Sequence, residues 1–307
     1  MKRFTILISL LFVLFSCGCG NSFTSPKEVT FAFIEESSMV KQTASVVSIL
    51  SSGRVYTGSD SYSTTRVLSG VILNEEGYIL TSSEACNFDV SDNGTIYEGK
   101  FTNAYAVLSD VYQDQRHYML NLVDNREEAG LALFRLQTDF YYENQAGERK
   151  SGFQYPAVLS SREPQTGIQC YAVGNSLAEI LANNTFFHTS FNDLHLSVTK
   201  GIVSMKSVPS EILDPYSLDS KTCNPSVISA AVNREMCGGG VFDENGYLLG
   251  IVASKLVSET ANGISYLTKM SLMLESSWIA DYLNFVSERN KIEIPYTIAT
   301  MQEESVQ

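Results

Sequence analysis

Apolar and polar residues change places over short runs along most of this chain. Ala44 to Leu50, Val67 to Leu73, Tyr78 to Thr81, Ala104 to Leu108, Tyr118 to Val123 and Leu131 to Leu136 are rich in branched and aromatic side chains. Gly, Asn and Asp separate them, so each reads as a strand bounded by turns. Asn74-Glu75-Glu76-Gly77 reads as a hairpin loop in which Gly77 can take a positive φ. An irregular stretch from Tyr141 to Gly152 precedes a second strand set: Ile168 to Val173, His195 to Met205, Val227 to Val232, Gly240 to Phe242, Tyr247 to Ala253 and Gly263 to Thr268. Asp243-Glu244-Asn245-Gly246 repeats the hairpin signal. The period then changes, because Leu274, Trp278, Ile279, Tyr282, Leu283 and Val286 recur at helical spacing. That spacing predicts one closing amphipathic helix with Trp278 on its buried face. Many short strands at even spacing predict barrels or sandwiches rather than alternating α/β units.

The N-terminus carries a different pattern. Lys2 and Arg3 precede an apolar run from Phe4 to Phe15 that ends at Ser16-Cys17. The run is too short to span a bilayer as a stable helix and has the layout of a secretory signal. Leu14-Phe15-Ser16-Cys17 resembles the lipobox of bacterial lipoproteins, which implies lipidation of Cys17 after cleavage. Cys19 is a second candidate, and an ordinary signal cut near Gly20 is the alternative. Residues 17–40 show no sustained period and read as a tether. The expected organisation is a signal peptide over 1–16, a lipid-anchored tether over 17–40, an N-terminal barrel over 41–146, a C-terminal barrel with its helix over 147–290, and a loosely held tail over 291–307. The expected location is the bacterial cell envelope, exported and held to the membrane by the N-terminal lipid.

Composition narrows the chemistry. The 307 residues are 44% hydrophobic and 18% charged, enough apolar content for a large core or two smaller ones. A formal charge of −13 argues against a nucleic-acid partner, which needs a clustered basic face. Of six cysteines, five remain if Cys17 is lipidated, an odd set that cannot all pair internally. A Cys223 to Cys237 bridge stays open. No Cys-x-x-Cys or His-x-x-x-His spacing is present, so neither a metal nor another cofactor is expected. Gly238-Gly239-Gly240 follows a β segment and enters another strand, unlike a phosphate loop that opens a helix.

Three segments, in order, resemble the trypsin-like serine proteases, especially the DegP (HtrA) type of the bacterial envelope. Ser69-Gly70-Val71-Ile72-Leu73 through Thr81-Ser82-Ser83-Glu84 is similar to the family run ending in Thr-Asn-Asn-His. Gly130-Leu131-Ala132-Leu133 is similar to its Asp-Leu-Ala-Leu segment, and Met236-Cys237-Gly238-Gly239-Gly240 to its Asn-Ser-Gly-Gly-Pro. Ala172-Val173-Gly174-Asn175 and Val198-Thr199-Lys200-Gly201-Ile202 agree. The resemblance spans roughly residues 41 to 288. It implies an all-β fold of two packed six-stranded antiparallel barrels with a C-terminal helix.

The same resemblance implies a degraded catalytic triad. Glu84, Gly130 and Cys237 stand where the family has His, Asp and Ser, and Glu235 replaces the glycine that lends one oxyanion-hole amide beside that of Cys237. Ala231 falls at the floor of the specificity pocket. A serine-type site needs an imidazole base and a carboxylate to orient it. Cys237 alone could stay reactive, since thiols ionise near 8.5, and neighbouring carboxylates disfavour the thiolate. His117, His188 and His195 read as solvated side chains rather than a relocated base. The expected function is an inactive, envelope-tethered member of the protease fold that binds a protein or peptide ligand. The alternatives are a divergent peptidase with Cys237 as nucleophile and a structural envelope protein.

Overall fold

The computed structural model describes residues 27–34, 37–58, 60–92, 95–109, 115–175, 196–206, 225–260 and 263–300, with Val208 and Cys223. The signal segment, Cys17 and Cys19 lie outside the described residues. A short helix, α1 (Ser38–Ala44), leads into β1 (Val46–Thr57), β2 (Asp60–Ile72), β3 (Tyr78–Ser82), β4 (Gly99–Ser109), β5 (Gln115–Arg126) and β6 (Leu131–Leu136). These six strands close into a barrel in the order β1-β2-β3-β6-β5-β4, with antiparallel pairing throughout. Period-two alternation explains the closure. Ile49, Leu68, Ile79, Ala106, Tyr118 and Phe134 belong to one buried cluster, while residues between them on the strands face outward.

The second half repeats the plan. Strands β7 (Gln169–Asn175), β8 (Leu196–Met205), β9 (Ser226–Ile228), β10 (Gly240–Phe242), β11 (Leu248–Thr260) and β12 (Gly263–Glu275) run β7-β8-β9-β12-β11-β10, and β10 pairs with β7 to close the ring. All six contacts are antiparallel. The fold is therefore two six-stranded antiparallel barrels followed by a helix, as the resemblance implies. Both hairpin loops form as read. In the first, Gly77 takes φ +78° and Asn74 Oδ1 accepts from the Glu76 and Tyr78 amides. In the second, Asp243 Oδ1 accepts from those of Asn245 and Tyr247.

Helix α2 (Ser276–Asn290) lays Ile279, Tyr282, Leu283 and Val286 against the body and stops at Lys291, which takes the left-handed conformation (φ 55°). It also ties the halves together. The Tyr282 hydroxyl donates to Asp124 Oδ2 on β5 at 3.0 Å, and the indole N–H of Trp278 donates to the Ala129 carbonyl at 3.2 Å. Trp278 is half-buried, its ring against the core and its N–H at the seam. Among the described residues no helix is long and apolar enough to cross a membrane.

Order extends further at both ends than the sequence suggests. Glu28–Phe31, within the stretch read as a tether, pairs in parallel with Asp139–Tyr142, which pairs in turn with Arg149–Ser151. The stretch from Tyr141 to Gly152, read as irregular, is thus largely a hairpin. Phe153 stacks on Phe140 with centroids 4.4 Å apart and meets Phe31 at 5.1 Å. The stretch read as a loose tail packs as far as Thr300. Ile294 and Ala299 are buried, and Thr297–Ile298 pairs with Val158–Leu159, which sits on β11. Strands of two to four residues carry too few alternations to show a period.

Candidate functional site

The two barrels meet at the loop that carries Cys237. Arg234–Met236 form a single 3₁₀ turn capped by Asn233, whose Oδ1 accepts from the Met236 amide at 3.1 Å. Gly238 follows at φ +83°, where a Cβ would overlap Thr81 Oγ1 and the Ser69 carbonyl oxygen, so glycine alone fits. Its amide donates to the Val252 carbonyl at 2.7 Å, and that of Val252 donates to Gly239 at 2.9 Å, which fixes the loop to β11.

The first barrel holds the other side. The Ser69 amide donates to the Cys237 carbonyl at 3.0 Å, and Ser69 Oγ donates to the Glu235 carbonyl at 2.8 Å while accepting from the Asn175 amide at 2.7 Å. Asn175 Nδ2 donates to Ser48 Oγ at 2.7 Å. Ser69 and Asn175 are fully buried, and each of these polar groups has a partner.

Glu84 sits in the turn after β3, its amide donating to Ser82 Oγ at 3.3 Å. The Ser83 amide donates to the Gly130 carbonyl at 3.0 Å, which sets Gly130, in the left-handed region at φ 71°, against the same turn. Across the seam Arg234 Nε lies 3.8 Å from Glu84 Oε2. Arg66 Nη1 donates to the Glu84 carbonyl at 3.2 Å, with its guanidinium 5.0 Å from the centre of the Phe88 ring. Glu84, Gly130 and Cys237 thus share one neighbourhood. Arg66 and Arg234 belong to it too, although no sequence signal marked them: Arg66 ends a run of small polar residues and Arg234 sits in a loop.

Burial dominates the electrostatics. The Cys237 side chain is nearly inaccessible, and burial pushes its thiol well above the ordinary range; the charges of Glu84 and Glu235 add to that, and Arg234 opposes them. Burial also raises Glu84, against the pull of Arg234 and then Arg66. The Cys237 amide donates to the Arg234 carbonyl at 3.1 Å inside the turn. Glu235 Oε2 is buried without a hydrogen-bond partner.

Of the remaining sites expected from sequence, Ala231 is exposed to solvent, and His188 and His195 lie outside the described residues. His117 corrects an expectation: it is buried on β5, edge-on to Tyr105 with ring centroids 6.5 Å apart, and burial lowers its pKa. Its place in a polar run hid this: it lies on the face of β5 opposite to Tyr118, beside Tyr105 and Val107, which form a small buried cluster of their own. Cys223 and Cys237, for which a bridge was open, are not joined to each other, and Cys86, Cys170 and Cys237 are free thiols.

The sequence profile of the trypsin-like peptidase domain matches residues 68–251, well over half of the chain. This chain belongs to the trypsin-like peptidase family. The match runs from β2 to β11 and takes in Glu84, Gly130 and the whole Cys237 loop of this trypsin-like domain. Among solved structures, two of the HtrA-type protease AlgW with decapeptide are similar to it. One superposes with a TM-score of 0.56 at 18% identity, over 84% of this chain and 68% of that one. The other gives 0.53 at 19% identity, over 82% and 68%. At such identities the likeness shows the fold. No curated protein matches this trypsin-like chain in sequence.

Proposed function

We propose that this protein is an envelope lipoprotein that uses a trypsin-like fold to bind a protein or peptide, without cleaving it. The observation that carries the reading is the state of the Cys237 loop. The Cys237 amide, which the family resemblance makes an oxyanion-hole donor, is already bonded to the Arg234 carbonyl. Stabilising a developing oxyanion requires that donor to be free and aimed, and losing one commonly costs about 10²- to 10³-fold in rate. The thiol is held protonated by burial, and the charges that act on it are the carboxylates of Glu84 and Glu235 and the Arg234 guanidinium rather than an imidazole. A protonated, buried thiol is a poor nucleophile.

Binding needs none of this machinery, because an extended segment can add to a strand edge through backbone bonds alone. The AlgW structures hold a decapeptide, which supports a peptide-binding role for the fold. Attachment to the membrane rests on the run from Lys2 to Cys17. Two experiments test the reading. Purified protein is expected to leave denatured casein intact, and turnover abolished by Cys237→Ala would instead establish the cysteine-peptidase alternative. Palmitate is expected to label the wild type and not Cys17→Ser; an unlabelled, soluble wild type would remove the anchor.

A further inference from the structure

Two guanidinium groups converge on Glu84 from opposite barrels. Arg66 lies on β2, paired with Ser51 of β1, and its Nη1 donates to the Glu84 carbonyl at 3.2 Å. Ser51 Oγ donates to the next carbonyl, that of Ala85, so one cross-strand pair holds both peptide groups of the turn. Arg234 comes from the Cys237 loop of the second barrel, and its Nε stops 3.8 Å from Glu84 Oε2, beyond hydrogen-bond reach.

Arg66 is set in place before any ligand arrives. Its guanidinium lies 5.0 Å from the centre of the Phe88 ring. That ring is wholly buried and locked, since a Cβ on Gly53 would overlap it. A guanidinium presents five N–H donors in a planar fork. Among the described residues Arg66 uses one of them, and the Arg234 side chain, 68% exposed, uses none.

The charges around the pair are poorly matched. Burial lowers the pKa of Arg66, the charge of Arg234 lowers it further, and Glu84 and Asp89 each oppose this by less. Burial also disfavours the charged form of Glu84, the carboxylate on which both guanidiniums act. Asp89 Oδ1 accepts from the Gly99 amide at 2.7 Å, and the Glu235 carboxylate acts on the Cys237 thiol. Two like charges held together with donors unused suit a further anion. A planar carboxylate accepts two parallel N–H bonds from one such fork.

We propose that Arg66 and Arg234 form a clamp for a carboxylate side chain, so that the segment bound beside the Cys237 loop carries a Glu or Asp facing the pair. The inference rests on the peptide-binding reading above. The occupant is a side chain rather than a chain terminus, because a segment that adds along a strand edge continues past the clamp in both directions. The formal charge of −13 disfavours acidic partners over the surface as a whole, which makes the pair a selective contact.

The test uses decapeptides, the length present in the AlgW structures, acetylated at one end and amidated at the other so that only side chains carry charge. An array of varied sequences, each as written and with every Glu and Asp replaced by Gln and Asn, is probed with the purified full chain. The strongest pairs are then titrated by fluorescence polarisation. The acidic forms are expected to bind best, with their amide forms at least about tenfold weaker. Arg66→Gln and Arg234→Gln are each expected to narrow that gap, and the double variant to bind both forms alike. Arg234 is exposed on a loop, so Arg234→Gln decides the matter if the variants at Arg66 do not fold. Equal binding of both forms by the wild type, or a gap unchanged in Arg234→Gln, overturns the clamp and leaves peptide binding intact. Binding of no peptide on the array overturns both.

Discussion

The hydroxyl of Ser69, on β2 of the first barrel, donates to the backbone carbonyl of Glu235 in the second-barrel loop that carries Cys237. One side chain therefore links the two halves, because the same oxygen accepts from the Asn175 amide. Ser69→Ala leaves a buried acceptor and a buried donor unmatched, each worth about 1 to 3 kcal/mol. Urea unfolding is expected to show a loss of about 2 to 6 kcal/mol, and an unchanged midpoint would mean that water replaces the hydroxyl.

Gly238 gives a sharper contrast. An alanine there meets both a positive φ and two first-barrel oxygens, whereas Gly147, also at positive φ (76°), has open space around it. Gly147→Ala is expected to cost about 1 to 2 kcal/mol. Gly238→Ala is expected to cost more, beyond about 4 kcal/mol, or to prevent folding. Thermal melting of the pair checks the order, and equal losses would show that the loop can move away.

Stability is expected to fall in alkali. Burial pushes the thiols of Cys86 and Cys170 up to about 12 and raises that of Cys237 as well. An unfolded thiol ionises near about 8.5. Above that pH the unfolded chain holds fewer protons than the folded one, so the stabilising contribution, whole below about 8.5, is lost as pH rises toward the folded value. The slope is at most about 1.4 kcal/mol per pH unit for each thiol. Urea midpoints at pH 7.5, 9 and 10 should decline, and Cys170→Ala should flatten the decline. Iodoacetamide should modify Cys237 only once the chain unfolds; ready labelling of the native protein at pH 6 would reveal an ionised thiol.

Tyr282 carries the contact between α2 and the first barrel. Tyr282→Phe keeps the ring but leaves Asp124, a buried carboxylate that also lies 3.3 Å from Arg289, one donor short. The expected loss is about 1.5 to 3 kcal/mol. A double-mutant cycle with Asp124→Asn should show that the two changes are not additive; simple additivity would place the effect elsewhere.

Much of the fold was legible because its strands bury one face. Leu131 to Leu136 and Tyr78 to Thr81 are strands at nearly the bounds that their side chains predict. The far ends of the β1–β2 hairpin were not legible: Arg54, Tyr56, Ser61 and Tyr62 point into solvent, and nothing in their polarity separates a paired strand from a loop. Glu28–Phe31 was missed since its partner lies more than a hundred residues away in sequence, a pairing that only the tertiary fold reveals. At the site, Glu84, Gly130 and Cys237 could be found because glycines and apolar runs surround them. Arg66 and Arg234 could not, because neither a half-buried guanidinium on a strand nor an exposed one on a loop leaves a periodic trace.

Each barrel is built from one unbroken length of chain, and that gives the molecule a history as well as a shape. The first ring is complete in sequence by Leu136. Domains emerging during synthesis fold as units, N-terminal first, so this ring can mature while the rest is still being made. Residues 234–238 need β7, β10 and β11 in place and then the strand that holds Ser69. The Cys237 loop is accordingly the last part to acquire its form. Pulse-labelled hydrogen exchange during refolding should find the amides of Leu80 and Leu133 protected before those of Gly238 and Val252, and simultaneous protection would show that the halves fold as one.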